Sequence, residues 1–158
     1  MKCLICWAPL LGRIGLSAIF LLSGVNKITN WEQTAQYMQA QGMPLVPLFL
    51  VGAIVLELAG GLSVLLGFHA RLGAALLILF LIPATLIFHN FWALQGQEQQ
   101  LQMIMFLKNV AILGGLLLIV GMGPGPISLD NRCARCAPAA ESAAAVPSPA
   151  SPPAGSGS

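Results

Sequence analysis

Charge is what this sequence has least of. Its 158 residues include seven Lys and Arg and five Asp and Glu, so 8% of the chain is charged, where a soluble domain carries about 25%. That scarcity excludes an ordinary solvated surface. A net charge of +2, thinly spread, also excludes a nucleic-acid surface, which needs clustered Lys and Arg against the phosphates. The glycine fingerprint that cradles a nicotinamide or flavin pyrophosphate is missing too, which argues against independent dinucleotide-dependent catalysis. What is present is apolar: 57% hydrophobic residues and a mean hydropathy of +0.84.

A membrane-spanning helix needs about 20 apolar residues. The sequence offers four such stretches, at 9–26, 47–67, 71–92 and 101–122. They use most of residues 1–122 and leave no room for a soluble domain. The expected fold is therefore all-α, a four-helix transmembrane bundle set in the lipid bilayer. Met1-Lys2 and the apolar run after it could open a secretory signal, but Arg13 interrupts that run and no clean cleavage site follows. An uncleaved first span is expected.

Lys2, Arg71, Arg132 and Arg135 fall on one side of the four spans, with Arg13 able to snorkel there, while Lys27 falls on the other. This bias predicts cytoplasmic N- and C-termini and external loops at 27–46 and 93–100. In the first external loop, Asn30-Trp31-Glu32-Gln33 reads as a variant capping box. Trp31, Ala35 and Met38 then share one helical face, and Gly42 and Pro44 end the segment. The pattern predicts a short interfacial helix, with Trp31 and Tyr37 at headgroup depth; a plain connector reads equally well. Gly60-Gly61 and Gly114-Gly115 permit close helix approach, and Pro83 should kink the third span.

Three of the twelve charges, Arg13, Glu57 and Lys108, lie inside the spans. Each costs roughly 2.5–3.5 kcal/mol at the bilayer centre on insertion scales, so each needs a partner or a wet cavity. Arg13, Ser17, Phe20, Gly24 and Lys27 recur at helical spacing, and so do Ala53, Glu57, Gly60, Val64 and Gly67. Thr85, His89 and Trp92 line up in the third span, and Lys108, Ala111 and Gly115 in the fourth. These stripes are expected to turn inward together.

At 1.5 Å per residue, Glu57 lies about 15 Å below the external end, Lys108 about 10 Å and Arg13 about 20 Å. Depth thus favours pairing of Glu57 with Lys108 or Arg13, with His89 and Asn109 nearer the outer mouth. The intramembrane polar cluster is read as Arg13, Glu57, Lys108, Asn109, His89 and Lys27. It either locks helix register or forms a pocket for a small molecule, a proton or a quinone headgroup. His89, within Phe88-His89-Asn90-Phe91-Trp92, also reads as part of an aromatic belt. His69 falls at the opposite surface, which argues against haem held by two histidines.

Four cysteines form two CxxC pairs, Cys3–Cys6 and Cys133–Cys136. Both fall on the expected cytoplasmic side, where structural disulfides are rare. The spacing suits a four-thiolate zinc site, either pair could be a redox dithiol, and a shared role is not required. Beyond Cys136 the chain is Ala, Pro, Ser and Gly apart from Val146 and one charge, Glu141, a composition that cannot bury a core and predicts disorder. The expected organisation is residues 1–8 as an N-terminal cysteine segment, 9–130 as the membrane domain and 131–158 as the second cysteine pair and tail.

With these motifs placed, the chain resembles the DoxX family of small four-span bacterial inner-membrane proteins. The pattern begins with Arg13, Phe20, Gly24 and Lys27, then Gln36-Tyr37-Met38 with Gly42 and Pro44. It continues through Glu57, Leu66-Gly67-Phe68, Arg71, His89 and Trp92, and ends with Lys108-Asn109 and the run Gly123-Pro124-Gly125-Pro126-Ile127-Ser128-Leu129-Asp130. The resemblance implies a membrane subunit or accessory of a quinone- or thiol-linked redox complex, acting with a soluble redox partner. The alternative is a non-catalytic scaffold or small-solute transporter with its charges as helix glue, and either is compatible with a homo-oligomer. The cysteine pairs and the tail lie outside the matched pattern.

Overall fold

The computed structural model describes the backbone of residues 2–131 and, from Trp7 onward, their side chains. Five helices follow in order: α1 (Lys2–Thr29), α2 (Trp31–Ala40), α3 (Val46–Leu66), α4 (Ala70–Phe88) and α5 (Gly96–Met122), with a single 3-10 turn at Phe91–Ala93 before α5. Four are long and apolar enough to cross a membrane, over Trp7–Thr29, Val46–Leu66, Ala70–Ala93 and Gly96–Met122. The all-α four-span bundle expected from hydropathy is thus observed. Cys133, Cys136 and the Ala/Pro/Ser tail lie outside the described residues, and of Cys3 and Cys6 only the helical backbone is described.

The spans pack in sequence, α1 on α3, α3 on α4 and α4 on α5, with sparse contact between α1 and α5. Small residues set these contacts, as they must in lipid, where apolar faces gain little by associating. A Cβ on Gly24 of α1 would sit 2.8 Å from Leu58 of α3, and one on Gly60 of α3 would sit 2.7 Å from Leu77 of α4. The core runs through Phe20, Val64, Leu77, Leu81, Ile112, Leu116 and Ile119. Large apolar side chains such as Leu22, Leu79 and Leu118 are exposed around the outside, the arrangement that a hydrocarbon solvent allows.

α2 is the short helix expected in the first loop, and its Trp31–Ala35–Met38 face packs toward Val46, Leu50 and Ile54 of α3. Its cap differs from expectation. Asn30 makes no side-chain capping bond and instead donates through Nδ2 to the Asn26 side chain at 2.7 Å. α1 continues past Asn26 to Thr29, so Asn30 follows directly on a helix whose last turn already offers it a partner. α5 likewise begins at Gly96 rather than 101, because Gln97–Gln100 are good helix formers that need no apolar face.

At the end of the bundle where α3 turns into α4, Gly67 adopts a left-handed φ of 67°. Phe68 N–H donates to the Ser63 carbonyl at 3.1 Å, a Schellman-type stop. α4 has no cap from its own N-cap residue, His69. Its cap comes from 60 residues away: the Asp130 carboxylate accepts from His69 N–H at 2.8 Å and Ala70 N–H at 3.2 Å. The segment after α5 therefore folds back over this end of the bundle, and Asp130 N–H donates to the Gly67 carbonyl at 2.9 Å.

Candidate functional site

Among the described residues there is one ion pair, and it joins α1 to α3. Lys27 Nζ donates to both Glu57 oxygens, at 2.9 Å each. Ser23, one turn before Lys27 on α1, completes the group. Its Oγ accepts from Lys27 at 2.6 Å and donates to Glu57 Oε1 at 3.1 Å. The Glu57 side chain is 4% exposed and that of Lys27 is 22%, so the carboxylate is enclosed and the ammonium forms the one partly open side.

This corrects the expected pairing of Glu57 with Lys108 or Arg13. Gly24 lies against Leu58 and Glu57, and Gly61 against Phe20 and Leu21. That register places Lys27 only three residues, about 4.5 Å of helix rise, from the level of Glu57. Arg13 instead lies level with Gly67, ten residues and about 15 Å along α3 from Glu57. α4 stands between α3 and α5, so Lys108 cannot cross to Glu57. Lys108 is exposed and among the described residues meets only the Met105 sulfur of its own helix, at 3.4 Å.

The stripe expected on α5 is displaced accordingly. Lys108 and Ala111 face outward, while Ile112, Leu116 and Ile119 are buried. In a helix apolar all round, a polar residue does not mark the inner face. The stripes on α1 and α3 do turn inward: Arg13, Ser17, Phe20 and Gly24 are buried, as are Ala53, Glu57, Gly60 and Val64. In the third span Thr85 is buried and Trp92 is exposed.

The other expected cluster members pair locally. His89 Nδ1 is 2.7 Å from Gln102 Oε1, joining the ends of α4 and α5. Asn109 Nδ2 donates to Thr85 Oγ1 at 3.0 Å, and that hydroxyl donates to the Leu81 carbonyl at 2.7 Å. Phe91, Trp92 and Phe106 stack edge to face around this end, with centroids 5.3–6.2 Å apart. The six residues are thus distributed among several groups rather than joined in one cluster. Ser23 and Gln102 were not singled out by sequence reasoning; the spacing of four between Ser23 and Lys27 was the available signal for the first.

Arg13 is solved differently. It is 2% exposed, and its Nη2 donates to the Ile127 carbonyl of the returning segment. Its Nε and Nη1, and the hydroxyl of Ser17 one turn on, have no hydrogen-bond partner among the described residues. No group of three His, Cys, Asp or Glu side chains that could hold a metal occurs among the described residues.

A four-span bundle with an enclosed intramembrane ion pair and an outward apolar surface defines a small polytopic membrane protein. The sequence model of the DoxX family matches residues 8–90, and the chain belongs to that family. It is 37% identical over 123 residues to the inner membrane protein YphA of Escherichia coli, covering 78% of this chain and 88% of that protein. It is 39% identical over 122 residues to the inner membrane protein YqjF of Escherichia coli, covering 77% of this chain and 88% of the relative. No solved structure matches the chain. Four apolar spans and relatives described as inner membrane proteins support a membrane location.

Proposed function

We propose that the chain is a non-catalytic membrane subunit, an accessory of a quinone- or thiol-linked redox complex whose chemistry a partner performs. Its intramembrane charges lock α1 to α3 rather than carry out a reaction. The observation that carries the lock is saturation at the ion pair: the Lys27 ammonium donates to Ser23 and to both Glu57 oxygens. A quinone carbonyl needs a free donor, and Lys27 could offer one only by giving up a bond inside the protein. The residues present therefore do not fit a quinone headgroup as they stand.

A second reading keeps the pair as a ligand-contacting site, favoured by the 22% exposure of the Lys27 side chain. Replacing both partners by methionine, Lys27→Met with Glu57→Met, separates the two. Under the first reading the double variant keeps both its abundance in the membrane and its support of the partner's redox activity. Abundance without that support would refute the lock and establish the ligand site. Both termini are proposed to face the cytoplasm, on the bias of Lys2, Arg71, Arg132 and Arg135; a C-terminal reporter active only in the periplasm, if active, overturns this.

A further inference from the structure

The turn after α5 and the start of α4 line an open groove of about 710 Å³ whose walls include His69, Arg71, Leu72, Met122, Gly123 and Asp130. It sits where two spans, α4 and α5, reach the same membrane surface. Arg71 lies across the turn: a Cβ on Gly123 would stand 3.4 Å from Arg71 Nη2 and 3.5 Å from its Nε. Gly123 itself has a φ of 84°, so a residue without a side chain both makes the turn and leaves room for the Nε–Nη2 edge of the guanidinium against it.

The Arg71 guanidinium forms no ion pair among the described residues. The carboxylate in the same groove, Asp130, is already committed through both oxygens to His69 and Ala70 N–H. Beside this cation stand two exposed apolar side chains, Leu72 at 59% and Met122 at 80% exposure. A cation where two apolar spans end, with exposed apolar side chains beside it, matches the two-part chemistry of a phospholipid.

We propose that this groove is a binding site for an anionic phospholipid, with the headgroup phosphate on Arg71 and the acyl chains along Leu72 and Met122. The guanidinium supplies paired N–H donors in the geometry that phosphate oxygens accept. One basic side chain near an anionic surface is worth about 1 kcal/mol, or about fivefold in binding. Phosphatidylglycerol is therefore held in preference to phosphatidylcholine, and the preference resides in Arg71.

The test is native mass spectrometry of the full chain released from nanodiscs of equal phosphatidylglycerol and phosphatidylcholine, for the wild type, Arg71→Gln and Met122→Gln. The expected result is preferential retention of phosphatidylglycerol by the wild type, about fivefold lower in Arg71→Gln. Met122→Gln, at a largely exposed position, should weaken lipid retention while leaving the fold intact. Equal retention by wild type and Arg71→Gln overturns the site, as does equal retention of the two lipids by the wild type. Inorganic phosphate that displaces the lipid at millimolar concentration assigns the groove to free phosphate and overturns the lipid proposal. If Arg71→Gln does not accumulate, Met122→Gln decides alone: unchanged retention refutes the apolar wall and the site with it.

Discussion

The two ends of the bundle hold their charges in opposite ways. Between α1 and α3, Lys27, Ser23 and Glu57 satisfy one another through side chains alone. At the end where α3 turns into α4, the charged groups bond to backbone. Arg13 donates to the Ile127 carbonyl, and Asp130 accepts from His69 and Ala70 N–H. A side-chain pair is self-contained, so it can be removed as a unit. Charges fixed to backbone belong to the turns that present that backbone, and removing two of them removes two separate supports.

The largest effect is expected where one charge of the pair is stripped of its partner. Lys27→Met leaves the enclosed Glu57 carboxylate with only the Ser23 hydroxyl, which costs about 3–5 kcal/mol for a buried pair broken on one side. Glu57→Gln should cost less, because the partly open Lys27 can swing toward water. Glu57→Met added to Lys27→Met should restore most of the loss, since a buried pair replaced by apolar residues of similar volume is often neutral. Thermal unfolding in detergent micelles measures all three. A double variant no more stable than Lys27→Met would break the contrast between the two ends.

Asp130→Ala comes next. It removes the cap on α4, worth about 0.5–2 kcal/mol, and it also removes the carboxylate whose field acts on Arg13. Here no rescue is expected: Arg13→Met added to Asp130→Ala should leave the loss in place or deepen it, because the two groups support different stretches of backbone. The same unfolding measurement applies. Recovery of stability in that double variant would show that the two ends follow one rule.

How much of this was legible in the sequence follows from what each feature depends on. The four spans and the inward stripes of α1 and α3 depend on local spacing, and they read correctly. The partner of Glu57 depends on inter-helix register, which the contact of Gly24 with Leu58 sets. Counting depth from assumed span ends placed Lys27 in a loop and Arg13 too near the centre. Helix α5 shows a further limit. Its inner face, Ile112, Leu116 and Ile119, is no more apolar than its outer face, Leu107, Leu117 and Leu118. In lipid both faces are equally solvated, so hydropathy does not choose between them. The Asp130 cap was hidden for a plainer reason, a separation of 60 residues from the helix it serves.

A smaller effect tests whether side-chain bonds at the loop end matter individually. Asn109→Leu removes the donor to Thr85 Oγ1 and with it one polar tie between α4 and α5. Such interhelical bonds average about 0.6 kcal/mol in membrane proteins, and Thr85 retains its bond to Leu81. A loss of that order in the unfolding midpoint is expected, well below that of Lys27→Met. A loss as large would mean that the loop end works as one extended network and not as a self-contained pair with separate neighbours.

The smallest expected effect belongs to the residue whose charge looked most anomalous. Lys108 is a cation inside a span, yet it faces outward and its ammonium meets only a thioether. Its long stem can carry the charge toward the membrane surface at the loop end, so the protein has not spent a partner on it. Lys108→Met should change stability by no more than about 0.5 kcal/mol, as for a surface substitution away from caps, cores and pairs. The measured difference between Lys108→Met and Lys27→Met then isolates what enclosure adds. Both remove one lysine from a membrane-spanning helix, and only at Lys27 does the lysine leave behind a buried carboxylate.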